Sequence, residues 1–118
     1  MAYIFESKLP ENKSVVLGLT YIYGIGKSTA IKLCKLTGFS LNYKIKHLTP
    51  KQLNEISQLI EELDLKVDVK LKKFRVDSAK KLLKIKSQRG LRKLTGLPVR
   101  GQRTHTNAKS ARNQKYKK

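Results

Sequence analysis

The sequence predicts an all-α chain: a small helical body, then a short helix, then a long extended basic C-terminal arm. Three observations predict it. Apolar residues recur at helical spacing in separate segments of the first 86 residues. Glycines and a Thr-Pro pair punctuate those segments where helices stop and start. From Ser87 onward the chain is rich in Arg, Lys and Gly and poor in apolar side chains.

Taken in order, Ser14–Tyr23 (SVVLGLTYIY) places Val15, Leu19 and Ile22 on one helical face, with Val16 and Tyr23 alongside. Gly24 is expected to end this helix from a left-handed position. A second helix starts near Lys27, carries Ala30, Ile31, Leu33 and Cys34, and stops at Gly38. Residues 38–48 have little periodicity and read as a loop. Thr49-Pro50-Lys51-Gln52 combines an N-cap, a proline at the first helical position and the glutamine of a capping box. Leu53, Ile56, Ile60 and Leu63 then line one face of a helix over 50–63. Leu65–Leu71 alternates apolar and polar residues, but no convincing second strand exists to pair with it, so it reads as an extended connector. Asp77 is expected to cap a short helix, Ser78–Lys86, with Ala79, Leu82, Leu83 and Ile85 facing inward. A short helical turn is expected around Arg89–Thr95. Beyond Pro98 too little surface can be buried to offset ordering entropy, so the segment should be disordered when free and ordered on a partner. The expected division is a body over 1–86 and an arm over 87–118.

The 118 residues suffice for one ordinary domain. Lys and Arg outnumber Asp and Glu 27 to 8, a formal charge of +19. No carboxylate side chain follows Asp77, whereas 14 Lys or Arg do. Such self-repulsion calls for a polyanionic partner. No run approaches the roughly 20 apolar residues that span a bilayer, so no membrane partner is expected. MAYIFESKLPENK has neither a signal-peptide core nor an Arg-rich transit pattern, and the chain is expected to act where it is made. The lone Cys34 excludes an internal disulfide and, with only His47 and His105, gives no zinc site. Glu61, Glu62 and Asp64 read as a solvated helix end. With no Ser–His–Asp set or metal cluster, the chain reads as a binder, not an enzyme, with no catalytic residue, cofactor or small-molecule substrate.

Tyr23–Ala30 reads YGIGKSTA. A nucleotide P-loop would need glycine at position 21, where Tyr21 stands, and a dinucleotide loop would need glycine at 29, where Thr29 stands. Gly-hydrophobic-Gly between two helices instead suits one or two phosphates of a nucleic-acid backbone. Gly24 and Gly26 allow close approach, and Ile25 anchors the turn. The N–H groups of Gly26, Lys27 and Ser28 open the next helix, where the dipole favours an anion. A plain helix-to-helix turn is the alternative the motif alone leaves open; the charge favours phosphate. In the arm, Arg89, Arg92, Arg100, Arg103 and Arg112 alternate with glycines and with Gln102, Thr104, His105, Thr106 and Asn107. Arginine forks hold phosphates and stack on bases, so this composition suits threading between RNA strands. His105 reads as an RNA contact or an exposed residue, not a catalyst.

Leu9–Ala30 (LPENKSVVLGLTYIYGIGKSTA), Ser87–Ala108 (SQRGLRKLTGLPVRGQRTHTNA) and the spacing between them resemble the ribosomal protein S-thirteen family of the small subunit. The resemblance covers nearly the whole chain; the middle, 38–86, matches mainly in pattern and length. It implies a helix-two-turn-helix body whose glycine turn sits on small-subunit rRNA, in the head of the subunit beside ribosomal protein S-nineteen. It further implies bridges to the large subunit and an arm running through head rRNA toward P-site tRNA. The residues implied to face rRNA are Gly24, Gly26, Lys27 and Ser28 in the turn, and Arg89, Arg92, Lys93, Arg100, Gln102, Arg103, Thr104, Thr106 and Asn107 in the arm. Lys115, Lys117 and Lys118 are implied to approach tRNA. The chain departs from the family at Gln88, where Tyr is usual, at Lys93-Leu94-Thr95, where His and further basic residues are common, and after Asn107. THTNA and the abundance of Lys, Asn, Ile and Tyr resemble an organellar member, with the mitochondrial matrix favoured over plastid or bacterial cytoplasm. The competing classes are a DNA-repair protein, for which the chain has no catalytic domain, and an architectural DNA binder.

Overall fold

The computed structural model describes residues 2–115. It is mostly helical, as expected, with one small addition at the N-terminus. Ala2–Ile4 (β1) and Ser7–Leu9 (β2) form an antiparallel hairpin in which Ala2 faces Leu9 and Ile4 faces Ser7. Its turn places Phe5 at φ +53°, a conformation with no glycine to announce it. Ala2, Ile4 and Leu9 are buried in the main core, which is why three-residue strands suffice here.

Four helices follow in the first part of the chain: α1 (Val15–Leu19), α2 (Lys27–Thr37), α3 (Pro50–Glu62) and α4 (Asp68–Lys84), with a 3-10 turn at Ile45–His47 between α2 and α3. The chain divides into two compact units, one ending at Lys72 and the other starting at Lys73, within α4. The core of the first unit gathers Val15, Leu19, Ile22, Ile25, Ala30, Leu33, Ile45, Ile56, Ile60 and Val67 around the hairpin. Cys34 is also buried there, and desolvation pushes its thiol pKa up, away from the reactive thiolate.

α3 forms as its capping signals dictate. Thr49 Oγ1 accepts from the Gln52 amide at 3.4 Å while Gln52 Oε1 accepts from the Thr49 amide at 2.9 Å. Thr49→Ala is expected to cost about 1 kcal/mol, read as a lowered urea midpoint at unchanged m-value.

Three expectations are corrected. The first helix stops at Leu19 rather than Tyr23; the Tyr21, Ile22 and Ile25 amides then bond carbonyls three residues back, in successive tight turns. The extended reading of Leu65–Leu71 fails from Asp68 onward, where α4 begins; residues 65–67 belong to no helix or strand. Asp77 accordingly lies inside α4 and caps nothing. The 3-10 turn adds order to the expected loop, with Tyr43 stacked on Phe39 at 5.9 Å and its hydroxyl donating to the His47 carbonyl.

In the second unit the rest of α4 is followed by α5 (Gln88–Thr95) and α6 (Lys109–Lys115). The expected turn at Arg89–Thr95 is thus a full short helix, capped by Ser87, whose hydroxyl accepts from the Gly90 amide at 3.2 Å. α6 is a helix that the expectation of a fully extended segment beyond Pro98 did not include.

Candidate nucleic-acid interface

The glycine turn is built from the core outward. Ile22 and Ile25 are buried, and the Ile25 amide donates to the Ile22 carbonyl at 3.1 Å, holding the turn tight between them. The two glycines do different work. Gly24 has φ +105°, and a Cβ there would lie 2.8 Å from the Lys66 carbonyl oxygen and 3.3 Å from Val67 Cα. Packing therefore demands glycine at 24. Gly26 has φ −96° and ψ 176°, open to any residue, and a Cβ there would meet no atom within 4 Å. The fold makes no demand for glycine at 26.

Gly26 is also the N-cap of α2, with no side chain capping it. The first N–H groups of that helix have no acceptor within it, and the space that a Cβ on Gly26 would enter is open. Lys27 and Ser28 are exposed at this end, and Thr29 is half-buried. Two further cations lie against the rings of neighbouring tyrosines. Lys13 Nζ sits 5.7 Å from the Tyr21 ring centroid and Lys72 Nζ 5.7 Å from that of Tyr23. Sequence reasoning missed Lys13 and Lys72, because only folding brings them to the turn.

The arm residues belong to the second unit. Arg92 is half-buried, and its Nε donates to the Pro98 carbonyl at 2.6 Å, folding the chain after α5 back along that helix. One of its donors thus serves the fold itself. Gly96, at φ +74°, makes the reversal possible. The result is an open groove of about 620 Å³ that brings together Arg89, Arg92, Gln102, Arg103 and Thr104 of the expected site. Gln88, Val99, Gly101 and His105 complete its lining. No carboxylate lines it. Arg112 Nη2 donates to the Thr104 carbonyl at 3.3 Å, holding one wall. Lys93, Arg100, Thr106 and Asn107 do not line the groove; all four are exposed. Lys115 belongs to α6, whereas Lys117 and Lys118 lie outside the described residues.

The turn and the groove both fall within a match of residues 3–110 to the family model described as ribosomal protein S13/S18. The chain belongs to the ribosomal protein S13/S18 family. The small ribosomal subunit protein uS13m of Marchantia polymorpha is 43% identical over 116 residues, 98% of this chain and 96% of that protein. The small ribosomal subunit protein uS13 of Hydrogenobaculum sp. (strain Y04AAS1) is 44% identical over 110 residues, 93% of this chain and 86% of that one. As a member of the S13/S18 family the chain is a structural ribosomal protein and not an enzyme.

Proposed function

We propose that the chain is a constituent of the small ribosomal subunit that binds small-subunit rRNA by two features: the open N-terminus of α2 behind Gly26, and the cationic groove of the arm. The observation that carries this reading is Gly26. A glycine with an ordinary backbone and empty space before it has no role inside the fold, but it lets a phosphate reach the N–H groups of Lys27 and Ser28. Arg89, Arg92, Gln102, Arg103 and Thr104 offer a fork-and-amide lining for rRNA in the groove, with Lys93, Arg100, Thr106 and Asn107 extending the contact along the arm. The segment beyond Pro98 takes up its bound arrangement on that RNA.

The finer placement rests on the family resemblance: the head of the subunit, beside ribosomal protein S-nineteen, with bridges to the large subunit and with Lys115, Lys117 and Lys118 toward P-site tRNA. The mitochondrial matrix is the proposed location, supported by the Lys-, Asn-, Ile- and Tyr-rich composition and the similarity to uS13m; cell fractionation separates it from plastid or bacterial cytoplasm.

Gradient sedimentation of the tagged chain from the cells that make it tests the assignment. It is expected to comigrate with the small subunit, to persist there in high salt and to leave it after RNase. About 6–10 phosphate contacts in a free binary complex would lose roughly 10³–10⁵ in affinity between 50 and 200 mM salt, so retention in high salt marks a protein woven into a folded subunit. Migration with DNA would instead support an architectural DNA binder.

A further inference from the structure

Asp68 joins three parts of the first unit. Its carboxylate accepts from Ser7 Oγ of β2 at 3.0 and 3.2 Å. Its backbone amide donates to the Tyr23 carbonyl at 2.8 Å, immediately before Gly24. Its φ is +44°, a left-handed conformation that a non-glycine residue keeps only where its surroundings hold it. It is also the one charged side chain buried among the described residues. Lys66 and Val67, just before it, press on Gly24 closely enough to exclude a Cβ. The path from hairpin to turn is therefore continuous: Ser7 holds the carboxylate, the held residue keeps its left-handed backbone, and that backbone aims its N–H at Tyr23.

We infer that Ser7 and Asp68 are positioning residues for the glycine turn: they fix Tyr23, and through it the direction of the N–H groups of Gly26, Lys27 and Ser28, without touching the phosphate themselves. The N-terminal hairpin thereby becomes part of the anion site at one remove. This rests on the phosphate reading of the turn given above.

The test is Ser7→Ala in the full chain, a change that leaves every backbone conformation allowed. Two quantities are read: amide hydrogen exchange, and affinity for small-subunit rRNA from the cells that make the chain. The hydrogen-bonded amides of Asp68 and, within the turn, Ile25 are expected to exchange about fivefold faster, and rRNA affinity to fall by a similar factor, with protection of α3 amides unchanged. Ser7→Thr, which keeps the hydroxyl, restores both. Asp68→Asn, which keeps an acceptor and tolerates the left-handed backbone, shows the smaller change. Unaltered exchange at the turn overturns the inference. So does a uniform loss of protection across the core that Ser7→Thr fails to restore. If wild-type chain binds no rRNA while Ser7→Ala still loosens the turn, the positioning role stands and the RNA reading falls.

Discussion

Gly24→Ala is expected to lower the stability of the first unit by about 2–6 kcal/mol, whereas Gly26→Ala is expected to change it by less than about 1 kcal/mol yet weaken rRNA binding roughly tenfold. At position 24 two penalties add. A side chain at φ +105° sits in a region that costs about 1–3 kcal/mol. The new Cβ also meets the Lys66 carbonyl at 2.8 Å, a backbone atom that cannot rotate away, and such overpacking costs about 1–3 kcal/mol. Against a typical domain stability of about 5–15 kcal/mol this is a large share. At position 26 neither penalty applies, and only the modest preference for glycine over alanine at an N-cap is lost. What alanine does there is occupy the space a phosphate would enter. Losing a charge-assisted hydrogen bond of about 1.5–3 kcal/mol gives at least a tenfold effect. Urea denaturation and rRNA titration on the same two variants decide it. Equal rRNA affinity for Gly26→Ala and wild type would reduce the turn to plain geometry.

Gly90→Ala should be the most damaging single change in the second unit. A Cβ at this buried position of α5 would lie 2.7 Å from both the carbonyl carbon and oxygen of Leu82 and 3.0 Å from the Leu83 nitrogen. These are backbone atoms of α4, so the two helices must separate. The expected cost is about 1–3 kcal/mol. Separation also strains the junction at Ser87, whose hydroxyl donates to the Leu82 carbonyl while accepting from the Gly90 amide. Faster proteolysis within 84–96, with unchanged hydrogen exchange in α2 and α3, is the expected result. A wild-type proteolysis pattern would show that α5 does not need this close approach.

The glycine turn and the basic arm are each announced in the sequence by local chemistry. Gly-Ile-Gly followed by Lys-Ser marks a tight turn into a helix start, the place proposed for a phosphate, and Arg alternating with Gly and amide or hydroxyl residues marks the arm. The assignment of separate tasks to Gly24 and Gly26 was not legible, because it depends on Lys66 and Val67, some forty residues away. The groove was not legible either. Its existence depends on the Arg92–Pro98 hydrogen bond, in which an arginine counted as an RNA contact also shapes the protein.

The sequence by itself determined α2, α3 and α5, whose ends carry explicit chemistry: Gly26 and Gly38, the Thr49–Gln52 box, Ser87 and Gly96. Tertiary structure decided the hairpin, the early end of α1 and the extent of α4. The C-terminal ends of α3 and α4 are closed by local bonds at residues that carry no glycine signal. Asp64 (φ +48°) and Lys86 (φ +54°) take the left-handed position that glycine fills after α2 and α5. In each case the next two amides bond back to the last-turn carbonyls, Asp64 to Glu61 and Leu65 to Ile60, Lys86 to Leu83 and Ser87 to Leu82. At the start of α4, Asp68 is left-handed where Ser7 and Tyr23 hold it, next to the buried Val67. Local propensities are worth at most about 1 kcal/mol per residue; burying a valine or satisfying a buried carboxylate is worth as much or more, so contacts distant in sequence override the local signal where the two disagree.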